Sequence, residues 1–140
     1  MALRLPPKID PATGDRPSSL RDPCSRGDLK GAISTEVVRL FRQHTGRGPT
    51  RAKTTISDGV IVVTLEDCLT TAEKQLLDAG EGELVEQTRS VLHRGMRAEA
   101  VHLVERLTRK TVIAYLNDQE FDPDLAVIVF VLAPGSRAPA

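Results

Sequence analysis

A two-residue step, Asp58-Gly59, lies between two β-rich runs and constrains this chain more than any other feature. The runs are "AKTTIS" before it and "VIVVTL" after it. A type I′ turn requires positive φ at both central residues, and Asp-Gly is one of the pairs that adopt it most readily. The pattern predicts a hairpin with strands at about 51–57 and 60–66, and therefore an antiparallel sheet.

Helical periodicity flanks this hairpin on both sides. Apolar residues recur at helical spacing over about 28–45, and Gly46 is placed to end that helix. After the hairpin, Thr70 and Glu73 have the spacing of a capping box. They predict a second helix, which should stop at Gly80 in a left-handed cap.

A longer helix is predicted over about 82–108, and it carries two apolar stripes. One stripe runs from Val85 to Leu107 and the other from Leu84 to Val104. Two stripes predict that one side packs on the sheet and the other partly on a neighbouring helix or a second subunit. At about 1.5 Å per residue the helix would be about 40 Å long. In so small a domain, that length favours a helix with one end that extends beyond the fold and binds a partner.

Two more strands are predicted, at about 111–116 and 125–132. The second is almost continuously apolar, which is typical of a central strand covered on both faces. The order α-β-β-α-α-β-β predicts an α+β fold: a mainly antiparallel four-stranded sheet with helices packed on one face and room for a partner on the other. The apolar strand and the two-striped helix together predict a homo-oligomer.

Proline placement divides the chain into a tail and a folded unit. Of the nine prolines, most lie near the two ends. Residues 1–27 are rich in proline, glycine and serine with little apolar periodicity, and we expect a disordered tail there. The folded unit is expected over 28–132, and 133–140 should form a short frayed C-terminus.

Composition excludes several classes of protein. The 19 basic and 19 acidic side chains cancel, which argues against a nonspecific nucleic-acid binder. Aromatic residues make up only 3%, so a stacking platform for single-stranded nucleic acid is not expected. The two cysteines do not make a disulfide framework. No apolar run reaches the ~20 residues of a membrane-spanning helix.

A basic segment at 46–53 is the first candidate site. Glycine-rich backbone with arginine side chains can cradle a phosphate or a carboxylate. The segment follows a helix instead of preceding one, so no helix N-terminus would point at the anion. The alternative is a structural connection with solvated charges. The candidate residues for binding an anion or a partner are Arg47, Gly48, Thr50, Arg51 and Lys53.

An acidic segment at 117–124 is the second candidate. Its alternating oxygen ligands suggest calcium, but the glycine and the distal glutamate of an EF-hand are missing. A turn in which Asp122 or Asp124 accepts hydrogen bonds from backbone amides is the favoured interpretation. We therefore predict no metal site.

The relative position of the two charged segments is left open. At the same end of the sheet they could pair within one chain or across a symmetric dimer. At opposite ends the basic segment would stay free for an anion or an acidic partner. Gly46, Gly48 and Pro49 expose backbone in a way that a simple charge pair would not require, which favours the free basic segment.

Catalytic patterns are weak. Glu66 and Asp67 end a strand and could exchange protons if they were desolvated. They are more typical of an exposed strand end beside a helix N-terminus. The histidines and cysteines do not have metal-ligand or catalytic spacing, and no nucleophile elbow or dinucleotide fingerprint is found. We predict no enzyme, no catalytic residues and no cofactor.

Four pieces of the folded unit, about 28–132, form a specific pattern: "GRGP" at 46–49, "LTTAE" at 69–73, "LT" at 107–108 with "VIA" at 112–114, and "DPD" at 122–124. With these pieces the folded unit resembles the MpsC-like family. In this chain the family's glycine in "LTGR" is replaced by Arg109, which argues against a tight glycine turn there.

The resemblance implies a context, since the family is described as a component of a sodium-translocating, membrane-potential-generating system. It implies a non-enzymatic, soluble interaction or regulatory domain in the cytoplasm. Such a domain would be an accessory to a membrane ion transport system for sodium or bicarbonate, with a membrane transporter as partner. The residues themselves support one alternative, a sensor that binds a small anion or nucleotide through 46–53.

Overall fold

Three helices and four strands make up the part of the chain that the computed structural model describes, residues 26–134. This confirms the predicted α+β fold and the predicted order. In chain order the elements are α1 Arg26–Thr45, β1 Arg51–Ser57, β2 Val60–Glu66, α2 Thr71–Asp78, α3 Gly82–Thr108, β3 Val112–Glu120 and β4 Leu125–Leu132.

The hairpin forms as the Asp-Gly pair predicts. Asp58 and Gly59 have φ values of 46° and 80°, and Ser57 pairs with Val60 across the turn. Both strands have their predicted bounds. An Asp tolerates this left-handed conformation better than most side chains, so the turn forms with little strain.

The sheet has the strand order β1-β2-β4-β3 and is antiparallel throughout. The apolar strand β4 is central, as predicted. The predicted end of β3 at residue 116 was wrong, because pairing with β4 continues to Glu120. Backbone hydrogen bonds carry a strand through polar residues whose side chains point to water, so loss of apolar periodicity does not mark its end.

Both long helices cover the same face of the sheet, and the core lies between the helices and that face. Alternate residues of β2 and β4 are buried there, as the period of a strand dictates. The main contributors are Ile33, Val37 and Phe41 of α1, Met96, Ala100 and Val104 of α3, and Ile61, Val63, Leu65, Ile128 and Phe130 of the sheet.

The helix ends follow the predicted signals. Thr70 and Glu73 form a complete capping box at the start of α2, and Gly46 and Gly80 are both left-handed, with φ of 82°. The expectation at Arg109 was wrong. This residue ends α3 in the left-handed conformation, with φ of 61°, so the turn that a glycine would make is made by an arginine.

The predicted tails lie almost entirely outside the described residues. Residues 1–25 and 135–140 are not described, so the expected disorder at 1–27 and fraying at 133–140 stay predictions. Helix α1 begins at Arg26, slightly before the expected start of the domain. At the other end, the amide of Ala133 donates to the carbonyl of Thr111 at 2.8 Å.

Candidate functional site

The face of the sheet opposite α1 and α3 is covered by no helix within residues 26–134. We call it the open face. Strand alternation places every second residue on it; the side chains of β2 and β4 there are half-buried, except Glu66, which is exposed. The open face consists of Arg51, Lys53, Thr55 and Ser57 of β1, Val60, Val62, Thr64 and Glu66 of β2, Leu125, Val127, Val129 and Val131 of β4, and Ala114, Leu116, Asp118 and Glu120 of β3.

The centre of the open face is apolar. Val62 pairs with Val129, and Val129 pairs with Leu116, so three apolar side chains line up across neighbouring strands. Leu116 is 60% exposed. The sequence predicted that both faces of β4 are covered. Within the described residues, no part of the chain covers the face of β4 that carries Val129.

The two edges of the open face carry opposite charges. Lys53 on β1 and Asp118 on β3 lie in one cross-strand row, and Arg51 and Glu120 lie in the next. Two sheet positions separate the charges within each row, because β2 and β4 lie between them. The basic and acidic segments are thus at the same end of the sheet. The placement at opposite ends, which would have gone with the favoured free basic segment, was wrong, because the order β1-β2-β4-β3 brings the start of β1 and the end of β3 to one end.

Arg47, the first candidate of the basic segment, binds inside the chain. Its Nη2 donates to Oδ2 of Asp67 at 2.8 Å, and its Nη1 donates to the carbonyl of Leu69 at 2.7 Å. The hydrogen bond with Asp67 raises the pKa of Arg47 and lowers the pKa of the Asp67 carboxyl. Arg47 therefore holds the connection between β2 and α2.

Gly48 and Thr50 also have structural contacts. A Cβ added to Gly48 would lie 3.3 Å from Cγ1 of Val38, so the glycine permits close approach to α1. The amide of Thr50 donates to the carbonyl of Glu66 at 3.1 Å and extends the pairing of β1 with β2. Of the five candidate residues, Arg51 and Lys53 are the two whose side chains lie on the open face.

The acidic segment also holds the connection between β2 and α2. The carboxylate of Asp124 accepts hydrogen bonds from the amides of Cys68 and Leu69, each at 3.0 Å. This confirms Asp124 as an acceptor for backbone amides, although those amides belong to the connection after β2 and not to its own turn. Across residues 26–134, no three histidine, cysteine or acidic side chains are grouped to hold a metal ion.

Glu66 and Asp67, the candidate acid–base pair, lie beside an open surface cleft with Lys74 and Asp124. Lys74 Nζ is 3.5 Å from Oδ1 of Asp67, on the same carboxylate that binds Arg47. A carboxyl held ionised by two cations is poorly suited to exchange protons near neutral pH.

A buried polar cluster under α2 could not be predicted from the sequence. Arg89 of α3 donates through Nε and Nη2 to the carboxylate of Glu73, at 2.9 and 2.7 Å, and through Nη2 to the carbonyl of Cys68. Burial alone would raise the pKa of Glu73, but the hydrogen bonds from Arg89 and from the Thr70 amide outweigh it and lower the pKa. The capping box located Glu73, but nothing local pointed to its partner on α3.

His93 lies one turn beyond Arg89 and is only 4% exposed. Its ring packs edge-on against Phe41, with 5.5 Å between ring centroids. Burial and, second, the neighbouring Arg89 charge lower the pKa of His93 to about 4. It is thus a neutral core residue at physiological pH.

A comparison with protein families settles the relationship. The family model described as "Na+-translocating membrane potential-generating system (MpsC)" matches residues 25–134. The chain belongs to the MpsC family. The match includes every described helix and strand, and it confirms the resemblance seen in the sequence.

The family description links this MpsC-family chain to a Na⁺-translocating, membrane-potential-generating system. Within residues 26–134, none of its helices has the length and apolar character needed to cross a bilayer. No curated protein and no solved structure shows significant similarity to the chain.

Proposed function

We propose that this MpsC-family chain is a non-catalytic, cytoplasmic interaction domain that acts as an accessory to a membrane ion transport or membrane-potential-generating system. The open face is the observation that carries this proposal. An antiparallel sheet that faces water normally presents polar side chains on that side. Here the central positions are apolar, with Val62, Val129 and Leu116 in one row.

The combination of apolar centre and charged margin is typical of a surface that binds protein. Contiguous exposed apolar patches are uncommon on monomeric soluble proteins and often mark binding sites. Charges at the margin add specificity and speed association more than they add affinity. Arg51 and Lys53 would supply the basic margin, while Arg47, Gly48 and Thr50 hold the strand that carries them.

Capture from membranes tests the proposal. Tagged full-length chain is incubated with detergent-solubilised membranes of its source organism, and bound proteins are quantified by mass spectrometry. We expect enrichment of integral membrane proteins of an ion transport system. If only soluble proteins or no proteins are enriched, the accessory role is wrong.

Matched variants show whether capture depends on the open face. Reversal of Arg51 and Lys53 to glutamate should abolish enrichment. Reversal of Arg94 and Lys110 to glutamate changes the net charge equally at exposed positions outside the open face, and should leave enrichment intact. Equal capture by both variants would exclude the basic margin from the interaction.

A sensor of small anions or nucleotides is the alternative function. Arg51 is its strongest support, because its side chain is 75% exposed and holds Glu66 only loosely, at 3.8 Å. Thermal unfolding with phosphate, nucleotides or bicarbonate separates the two functions. An increase in Tm that disappears when Arg51 and Lys53 are replaced by alanine would favour the sensor; an interaction domain should show no response.

A further inference from the structure

The geometry points to a second copy of this chain as the occupant of the open face, in a symmetric sandwich of two sheets. The two-fold axis would run parallel to the strands, between β2 and β4. This dimer rests on the proposed role as an interaction domain: a second copy covers the open face, and the membrane protein then binds the assembled dimer, so variants that break the dimer also lose capture. Its basis is the distribution of charge over the cross-strand rows.

A two-fold rotation about that axis exchanges left and right across the sheet but keeps each row at its own level. Strand β1 of one copy then lies over β3 of the other. Lys53 meets Asp118 of the second copy, and Arg51 meets Glu120. Both contacts occur twice in the dimer because the interface is isologous. The open face is thus complementary to itself in charge.

The same operation brings apolar side chains together at the centre. Val62 of one copy lies over Val129 of the other, next to the axis. Sheets that pack face to face lie about 10 Å apart with strands aligned to within about 30°. At that spacing valine side chains from both sheets meet, and the longer arginine, lysine and glutamate side chains reach one another at the margins.

The other two-fold axis that lies in the interface along the sheet directions lacks this match. An axis in the interface but perpendicular to the strands would place β1 over β1 and would set Arg51 opposite Ser57 of the second copy. The acidic residues Asp118 and Glu120 would then face the other end of β3 and no basic residue. Of these two axes, the one parallel to the strands brings the basic edge and the acidic edge of the open face together, and the perpendicular one does not; Glu66 faces an apolar residue across either axis.

Charge reversal on one edge at a time makes a direct test. The first variant carries Arg51→Glu and Lys53→Glu, so both of its edges are acidic. The second carries Asp118→Lys and Glu120→Lys, so both of its edges are basic. Each variant alone should be monomeric, since every marginal contact would be repulsive. Mixed together they should form a heterodimer, because acidic edges of one would meet basic edges of the other at both margins.

Analytical ultracentrifugation of the full-length chain provides the measurement. A footprint of four strands by about seven residues is roughly 19 Å by 23 Å, which is small, so samples should reach about 100 µM. We expect wild type to be a dimer, and we expect the dimer dissociation constant of each variant to be at least about 10-fold higher. The control variant Arg94→Glu with Lys110→Glu should remain a dimer.

The apolar centre is tested independently. Leu116→Glu should abolish the dimer, whereas Val91→Glu on α3 should not, because Val91 is 56% exposed but lies away from the open face. Both positions are exposed, so neither change should unfold the domain, which circular dichroism checks.

Several outcomes would overturn the dimer. A wild-type monomer at the highest concentration would leave the open face to another protein or to residues outside 26–134. Failure of the two charge variants to associate on mixing would exclude the proposed axis. Because these measurements use purified chain alone, a monomer that still captures membrane proteins would remove the dimer and keep the proposed function. A dimer that captures no membrane proteins would keep the dimer and remove the proposed function.

Discussion

Arg89 and Glu73 form a buried, two-point ion pair between α3 and α2, with the guanidinium 2.9 and 2.7 Å from the two carboxylate oxygens. The same guanidinium binds the carbonyl of Cys68 at 2.7 Å. Glu73 also completes the capping box at Thr70. One pair of side chains therefore fixes where α2 begins and how it lies on α3.

Removal of one partner should be strongly destabilising. Arg89→Met would leave the Glu73 carboxylate buried without its cation, which typically costs about 3–5 kcal/mol of unfolding free energy. Denaturant unfolding measures the change. The control is Arg39→Met, since Arg39 forms an exposed pair with Glu36 at 3.4 Å and should contribute at most about 1 kcal/mol. Similar losses in both variants would contradict a special role for the buried pair.

His93 should make the domain sensitive to acid. In the folded state its pKa is lowered by burial to about 4 from the ordinary histidine value of 6.5, so between these pH values the unfolded chain binds more protons. Stability must then fall as pH falls from about 6.5 to about 4. The full loss attributable to this group is about 3 kcal/mol.

Replacement of His93 isolates this effect. His93→Leu should flatten the dependence of unfolding free energy on pH in that window, while His102→Leu, at an exposed position of the same helix, should not. An unchanged slope in the first variant would mean that other groups cause the acid sensitivity.

Asp124 should stabilise the connection after β2. Its carboxylate accepts the amides of Cys68 and Leu69, and loss of an acceptor leaves these amides unpaired, at about 1–3 kcal/mol. Asp124→Ala should lower the unfolding free energy by that amount, and Asp124→Asn should lower it less. The exposed Asp122→Ala is the matched control and should change stability little.

Cys68 should be inert in the folded domain. Burial and, second, the nearby Asp124 charge raise its pKa to about 12 from 9.0, which at pH 8 reduces the reactive thiolate roughly 1,000-fold. Iodoacetamide should leave the Cys68 peptide unmodified in native protein and label it in urea, as mass spectrometry would show. Rapid labelling without denaturant would indicate that the region around α2 opens frequently.

Local signals in the sequence were sufficient for most of the fold. The Asp58-Gly59 pair, the Thr70 capping box and the periodicity of α3 act over a few residues, so each could be recognised without knowing the rest of the chain. The end of β3 and the left-handed conformation of Arg109 could not be predicted from such local signals. The first depends on pairing with β4, and the second on a helix end that overrides the preference of a single residue.

The candidate site shows the same division. The sequence by itself determined which residues are charged, which are apolar and how they alternate along each strand. It did not determine that Arg47 is bound by Asp67, or that Arg89 reaches Glu73, because those pairs lie 20 and 16 residues apart. Only the strand order β1-β2-β4-β3 placed the basic strand and the acidic strand at opposite edges of one face. Alternation is a local property of the backbone, whereas the neighbours of a strand are chosen by the packing of the whole domain.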